Sequence, residues 1–526
     1  MTGVEYDSIT GVRTVGDGRF RVRVERDGDD VLVSPLLGSD GLCERCWLLR
    51  RIATMDLAGL VHPDGLIAAY ELRCAADVPA ELGSPVADVL RNRQAEALVR
   101  GSRPFPDTLA RVRSTGEVTA EVVLPLPECP VCRNDQPAAG DLSYLVGAAA
   151  GIVPEVREVL PLPGEPEFPH VVLARLANSA LSTRRPFWTG ASGKGGTAQA
   201  ALRSALGECV ERYSADVPAG MLRLARASEL PAVVDLDRLT GLPNPDDVER
   251  SWVLATAVDG SGRTAWVPAA AVYLGYLADR TRPFSSNGLA AGSTLSEAVS
   301  RAYAEVVERH AFFAAWYGMT ESTEVDPAEW MPEAAESFDR HGVQLQAALL
   351  GRPDAVTVAC ATCWPRTASP DRPGFTLGLG TGPDPARAVR AAVLECGQVY
   401  RGLSYALADS GLRSRAEQVR SHPELIAEPY DHGLFYATRR PDQVPAPFGL
   451  GPARPGRGPD DPPGPANGYF VDVTPTDIAS ATGLRVARVV VADAIPHHWG
   501  LQMIPIARIG RSILDWPVAE LIHPLA

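Results

Sequence analysis

Residues 19–37 alternate with period two. Phe20, Val22 and Val24 fall on one side and Arg21, Arg23 and Glu25 on the other, and Asp27-Gly28-Asp29-Asp30 then leads to Val31-Leu32-Val33. This pattern predicts a β-hairpin around a glycine turn. Further strands are expected at 169–174, 250–256, 354–361 and 485–492, where short β-branched runs are bounded by turn residues. Apolar positions at helical spacing predict helices over 197–215, 293–318 and 384–405, the last opened by Asp384-Pro385. Residues 441–467 hold nine Pro and five Gly and are read as an irregular, mobile loop. The chain becomes small and apolar at 140–150, which sets an expected boundary between a domain of 1–148 and one of 149–526.

The 526 residues are 45% hydrophobic and 22% charged, so a sizeable core is expected. A net charge of −14 argues against nucleic acid and anionic membrane as partners. The first residues show neither a basic start nor an apolar run, and no stretch of 18 apolar residues occurs. The expected compartment is therefore the cytoplasm, with reduced cysteines. Lys194 is the one lysine among 50 basic residues. Base composition of the genome accounts for the arginine bias, but not for a lysine kept within Gly193-Lys194-Gly195-Gly196. There it hints at a site that needs a compact ammonium.

Cys43-Glu-Arg-Cys46 and Cys129-Pro-Val-Cys132 are two CxxC pairs separated by 82 residues. Four thiolates in pairs suit a tetrahedral zinc ion, and that reading makes Cys43, Cys46, Cys129 and Cys132 structural ligands. Two unrelated pairs, or a disulfide, are the alternatives. A third pair, Cys360 and Cys363, lies in a strand-like run that points the two thiols to opposite faces, as core packing. Cys74, Cys209 and Cys396 read as buried structural cysteines. His497 and His498 read as a solvated loop pair.

Three helices carry glutamates on one face. The first has Ser204, Glu208, Glu211 and Arg212, the second Glu297, Glu305, Glu308 and Arg309, and the third Glu395 and Gln398. A single ExxER on a helix is ordinarily a solvated ion pair. Here the surrounding sequence is small and apolar, which places the acids inside. Several buried carboxylates repel one another unless cations join them. Divalent ions with oxygen ligands meet that need, and Mg²⁺ commonly brings phosphate with it. The residues thus point to a Mg²⁺–nucleotide site with Lys194 and the arginines on phosphate oxygens. It is not a Walker A loop, since Trp188 stands where the first glycine is required.

These spacings, with Ser286-Asn287-Gly288 and GLGTGPDP placed between them, resemble the YcaO family over roughly 150–526. The resemblance implies an α+β protein: a YcaO-type ATP-binding fold with mixed sheets and buried glutamate-bearing helices, preceded by a small zinc-binding domain. It implies an ATP site formed by Lys194, Ser204, Glu208, Glu211, Arg212, Ser286, Asn287, Glu297, Glu305, Glu308, Arg309, Glu395 and Gln398. Glu208, Glu211, Glu305, Glu308 and Glu395 would hold Mg²⁺. The run VLVSPLLGSDGLCERCWLLRR resembles the zinc-bearing part of the ubiquitin-activating-like partner of azoline-forming YcaO enzymes, so the chain reads as a truncated partner fused to a YcaO domain.

The implied activity is ATP-dependent cyclodehydration of a ribosomally synthesised peptide, giving thiazoline or oxazoline from Cys, Ser or Thr. Thioamide or amidine formation at the same ATP site, or a non-catalytic precursor-binding scaffold, remain the alternatives. The implied partners are a precursor peptide and a separate leader-binding protein; a dehydrogenase and a homodimer stay open. No residue is singled out as a catalytic acid or base. Two departures stand out. Ala391 occupies the position where relatives commonly carry an arginine, with Arg387 and Arg390 nearby. The chain ends Ile522-His523-Pro524-Leu525-Ala526 rather than in a PxPxP tail.

Overall fold

A computed structural model describes residues 6–7, 12–15, 20–38, 42–54, 78–99, 107–127, 129, 131, 140–177, 190–216, 222–243, 247–274, 285–351, 356–454 and 467–525. Cys74 and Cys132 lie outside them.

The first sheet has six antiparallel strands in sequence order: β1 (Tyr6–Asp7), β2 (Val12–Val15), β3 (Phe20–Asp27), β4 (Asp30–Val33), β5 (Thr108–Val112) and β6 (Val118–Val122). Gly28, at φ +66°, turns β3 into β4 as the hairpin pattern requires. Two helices cover the sheet, α1 (Glu44–Thr54) and α2 (Gly83–Val99). Phe20, Val22 and Val24 pack with Leu82, Val86 and Val89 on the α2 side. Arg21 on the charged face of β3 is exposed, but Arg23 and Glu25 are buried because α1 lies over them. Arg23 pairs with Glu44 at 2.6 Å, and Glu25 accepts from Trp47 Nε1 at 2.8 Å and from Arg51 at 3.2 Å. Buried polar groups persist where they find such partners.

A three-stranded sheet follows, β7 (Glu155–Glu158), β8 (His170–Arg175) and β9 (Gly190–Gly195), which leads into α3 (Ala198–Asp216). Next come β10 (Arg223–Ala225), β11 (Arg250–Ala257), β12 (Thr264–Pro268) and β13 (Leu289–Gly292), then α4 (Leu295–Trp316). A four-stranded antiparallel sheet consists of β14 (Ser322–Val325), β15 (Val343–Leu350), β16 (Thr357–Pro365) and β17 (Thr376–Gly382). Helix α5 (Pro332–Arg340) lies between β14 and β15, and α6 (Pro385–Ala408) follows β17. Helices α7 (Ser410–Ser421) and α8 (Pro429–Ala437) precede β18 (Gly468–Asp472) and β19 (Arg485–Val491), which complete the sheet ordered β10-β11-β18-β19-β13.

The three long helices match the periodicity closely. The strand expected at 354–361 is shifted to Thr357–Pro365. Its Cys360 and Cys363 enter different cores on opposite faces of the sheet, as alternation requires. The mobile-loop expectation for 441–467 is wrong over its first part. Residues Pro441–Gln443 form a turn of 3₁₀ helix, and Val444 and Phe448 are buried, with the Phe448 ring 5.6 Å from Phe312 and 5.3 Å from Trp316. Burial of two apolar anchors outweighs the proline and glycine content there. Residues 455–466 lie outside the described set.

Candidate active site

One strand–turn–helix unit recurs three times: β9 into α3, β13 into α4 and β17 into α6. Each helix is capped by a side chain that accepts a backbone N–H: Thr197 from Ala200 at 3.2 Å, Thr294 from Glu297 at 3.2 Å and Asp384 from Arg387 at 2.8 Å. Two residues before each cap stands a glycine, and four after it an alanine. A Cβ on Gly195, Gly292 or Gly382 would lie 2.6–2.8 Å from the backbone N of Ala201, Ala298 or Ala388. The helix therefore folds back onto its own strand at backbone contact. Eleven residues after the caps come Glu208, Glu305 and Glu395; fourteen after come Glu211, Glu308 and Gln398. Identical units thus deliver identical positions to one place.

Arg309 stands among these acids. It pairs with Glu308, lies 3.9 Å from Glu305, and interacts electrostatically with Glu395 and Glu208. Arg212 joins Glu208 to the Gly190 carbonyl at the start of β9. Lys194, on β9, donates to Glu395 Oε2, and Glu395 Oε1 accepts from Leu379 N at 3.3 Å. Gln398 donates to Ser192 O at 2.8 Å and to Ser192 Oγ at 2.6 Å. Backbone amides hold two more carboxylates: Ala291 N to Glu211 at 2.8 Å and Gly288 N to Glu305 at 3.0 Å.

The protonation states diverge. Burial, with Glu208 and Glu305 nearby, raises Glu211 to about 8. Burial, with Glu395 and Glu305, raises Glu308 to about 7. Glu305 is raised too, again chiefly by burial. Burial also acts on Glu395, but Lys194 and Arg309 outweigh it and hold this carboxyl below its ordinary value. The cluster thus keeps protons it would surrender to a multivalent cation. An all-oxygen donor set poised in this way fits Mg²⁺.

Not every expected residue joins the cluster. Glu297 is occupied at the start of α4, accepting from Ser293 N at 2.9 Å and pairing with Arg301 at 2.5 Å. Ser204 is exposed on α3, one turn before Glu208. Ser286 and Asn287 lie on the turn before β13, and Asn287 lines a separate pocket. Ala391 packs over Gly380, and Arg387 and Arg390 are exposed. His497 and His498 are not a solvated pair. His498 is buried, with its ring 4.5 Å from Phe313 and 5.0 Å from His523, and Nε2 at 3.0 Å from Tyr317 Oη. Pro496 and the buried C-terminal segment fold these imidazoles inward, where neutral rings pack as aromatics.

The N-terminal sulfurs converge as well. Cys43, Cys46 and Cys129 are buried, with their sulfurs within 4.8 Å of one another. Cys43 and Cys129 stand 3.6 Å apart, near the ~3.8 Å edge of a ZnS₄ tetrahedron. Cys43 Sγ accepts from Cys46 N, and Cys46 Sγ from Leu126 N at 3.3 Å. Thiolates take such N–H bonds readily, so the three residues fit zinc.

The family model described as YcaO cyclodehydratase, ATP- and Mg²⁺-binding, matches residues 192–494, more than half the chain and every residue of the carboxylate cluster. The chain belongs to the YcaO cyclodehydratase family. One curated relative, an uncharacterized protein in the tfuA 3′ region of Rhizobium leguminosarum bv. trifolii, is 30% identical over 226 residues, or 39% of this YcaO chain and 53% of the relative. The chain therefore spans about half the length of that relative. Two solved structures are similar in fold. A heterocyclase in complex with substrate and cofactor gives a TM-score of 0.65 at 18% identity, over 94% of this chain and 75% of that one. The heterocyclase TruD gives 0.54 at 17% identity, over 94% and 72%. Coverage of 94% carries the likeness beyond the YcaO region into the N-terminal sheet. Among the described residues no helix is long and apolar enough to cross a membrane.

Sequence reading missed the strands β9 and β17, because Gly193, Gly195, Gly378 and Gly380 gave them the composition of loops. The signal was available in the thrice-repeated Gly-x-Thr/Asp cap ahead of each acidic helix.

Proposed function

We propose that this chain is an ATP-dependent peptide cyclodehydratase. A Cys, Ser or Thr side chain of the substrate adds to the preceding backbone carbonyl. The nucleophile loses its S–H or O–H proton in this addition, and the resulting oxygen takes the γ-phosphoryl group of ATP as ADP departs. Phosphate then leaves with the C–O electron pair as the amide N–H proton is lost, and the C=N bond of a thiazoline or oxazoline forms. Phosphorylation turns a poor leaving group into a good one, and the protein's share is positioning and charge neutralisation.

Glu208, Glu211, Glu305, Glu308 and Glu395 would hold Mg²⁺, which supplies charge neutralisation on the phosphates. Lys194, Arg212 and Arg309 orient phosphate oxygens, and Gln398 fixes the β9 edge through Ser192. Ser204, Ser286, Asn287 and Glu297 border the nucleotide in this reading. Residues 1–148 form a zinc-bearing unit in which Cys132 completes the set of Cys43, Cys46 and Cys129, and 149–526 the catalytic unit. A ribosomal precursor peptide is the substrate, presented by a separate leader-binding protein in the cytoplasm.

The observation that carries this reading is the convergence of five carboxylates from three identical strand–helix units around Arg309 and Lys194. Calorimetry of Mg·ATP binding tests it, with wild type beside Glu208→Ala and Glu308→Ala. Mg²⁺-dependent binding lost in both variants is the expected result. Unchanged binding in both overturns it.

A further inference from the structure

A pocket of about 70 Å³ opens between β19, the turn at Ser285–Asn287 and His497, and its Arg488 interacts electrostatically with Glu305 of the carboxylate cluster. Its wall is largely apolar, with Leu239, Leu242, Val306 and Met503. Three of its polar groups are incompletely used. Arg488 is buried at 4% exposure and donates from Nε to Ala271 O at 3.0 Å and from one terminal nitrogen to Ser285 O at 2.8 Å. Its other terminal nitrogen has no hydrogen-bond partner. Asn287 Oδ1 and His497 Nε2 are likewise buried without one.

Such groups are costly. A buried guanidinium is normally paired with a carboxylate, and among the described residues none lies within ion-pair distance of Arg488. Burial pulls Arg488 down to about 10, with Glu305 opposing. A native pocket keeps polar atoms unpaired in an apolar wall when a ligand supplies the partners. The ligand must offer an acceptor to Arg488 and a donor to Asn287. A carboxylate offers no donor: it would set acceptor against acceptor at Asn287 Oδ1 and bring a second acid beside Glu305. A neutral amide offers both.

We propose that this pocket seats the peptide amide to be modified, with its carbonyl oxygen on the free Arg488 nitrogen and its N–H on Asn287 Oδ1, while His497 closes the wall. The proposal rests on the reading that ATP is spent on a peptide amide. It places that amide beside Glu305, which is shared with the carboxylate cluster, so the group to be phosphorylated and the phosphoryl donor meet across one side chain. It also takes Asn287 from the nucleotide's side to the peptide's.

The test uses N-acetyl-L-cysteine N-methylamide, which carries two peptide groups and the nucleophile. Its binding to the full chain, with Mg²⁺ and a non-hydrolysable ATP analogue present, is followed by saturation-transfer NMR. Mg·ATP affinity is measured on the same samples. Saturable binding is expected, weakened at least tenfold in Arg488→Gln and in Met503→Trp, with Mg·ATP affinity within twofold of wild type. Met503 is only partly buried at the pocket wall, so its replacement blocks the pocket even where loss of Arg488 prevents folding. Amide binding that is absent in wild type or unchanged in the variants, with Mg·ATP binding intact, overturns this inference alone. Mg·ATP affinity falling in parallel assigns the pocket to the nucleotide and overturns it too. No Mg·ATP binding in wild type overturns the functional reading and this inference together.

Discussion

Lys194 Nζ and Glu395 Oε2, 201 residues apart in sequence, form a charged hydrogen bond that ties strand β9 to helix α6. The one lysine of the chain therefore meets the acid of the third helical unit. Removing the ammonium in Lys194→Met leaves Glu395 facing Glu308 without its main counter-charge. Loss of about 1–3 kcal/mol in the metal-free protein is expected, the scale of a partly buried charged hydrogen bond. Denaturant unfolding in EDTA measures it. Lys194→Arg is not expected to restore Mg·ATP affinity, because a planar fork does not replace a compact ammonium between glycines.

The raised carboxyls make metal-free stability fall as pH rises. Glu211 and Glu308 stay protonated in the folded chain up to about 8 and about 7, whereas unfolded glutamates ionise near 4.5. Between these limits the folded state binds more protons than the unfolded one, so stability declines with pH through that window. Glu395 is shifted the opposite way and contributes stability that is lost as pH falls through its lowered value. Melting temperatures in EDTA are expected to drop from pH 5 to pH 8. Added Mg²⁺ is expected to reverse the drop with release of protons, visible as a buffer-dependent enthalpy in calorimetry. A flat melting profile in EDTA would contradict the assignment.

Zinc content checks the sulfur cluster. One zinc per chain is expected, lost in Cys46→Ser and kept in Cys209→Ser. Cys209 lies in α3, outside the group formed by Cys43, Cys46 and Cys129, and burial pushes its thiol up to about 12. Atomic absorption reads both, and chelation of wild type is expected to lower the melting temperature.

Arg50 joins the two halves of the chain. Near the end of α1, it pairs with Asp477 and donates to Tyr213 Oη at 3.1 Å, and Tyr213 Oη donates to Asp477 at 2.6 Å. Tyr213 stands two residues after Glu211 on α3. Breaking this buried pair from one side, in Arg50→Met or Asp477→Asn, is expected to cost about 3–5 kcal/mol, and the double variant less than the sum of the two. Additive losses in a double-mutant cycle would show that the pair is uncoupled.

The sequence by itself determined the acidic helices, because 3.6-residue periodicity and the ExxE spacing are local properties of α3, α4 and α6. It also determined the β3–β4 hairpin and the opposed faces of Cys360 and Cys363, which follow from period-two alternation. The family followed from the same motifs. Tertiary structure alone decided what those local patterns meet. Gly193 and Gly380 carry no strand signal of their own, and their role shows only where a helix backbone lies on them: a Cβ on Gly193 would come within 2.1 Å of Ala201 O, and one on Gly380 within 2.4 Å of Ala388 O. Glu297 shares a face with Glu305 yet caps its own helix, since Ser293 and Arg301 are nearer partners. His498 was polar in composition and became core because His523 of the C-terminal segment packs against it, while His497 beside it lines the pocket wall. Burial, and the partner met there, is a property of the packed whole. No single stretch of chain encodes it, and here it sets which glutamates keep their protons and which arginine lacks a counter-charge.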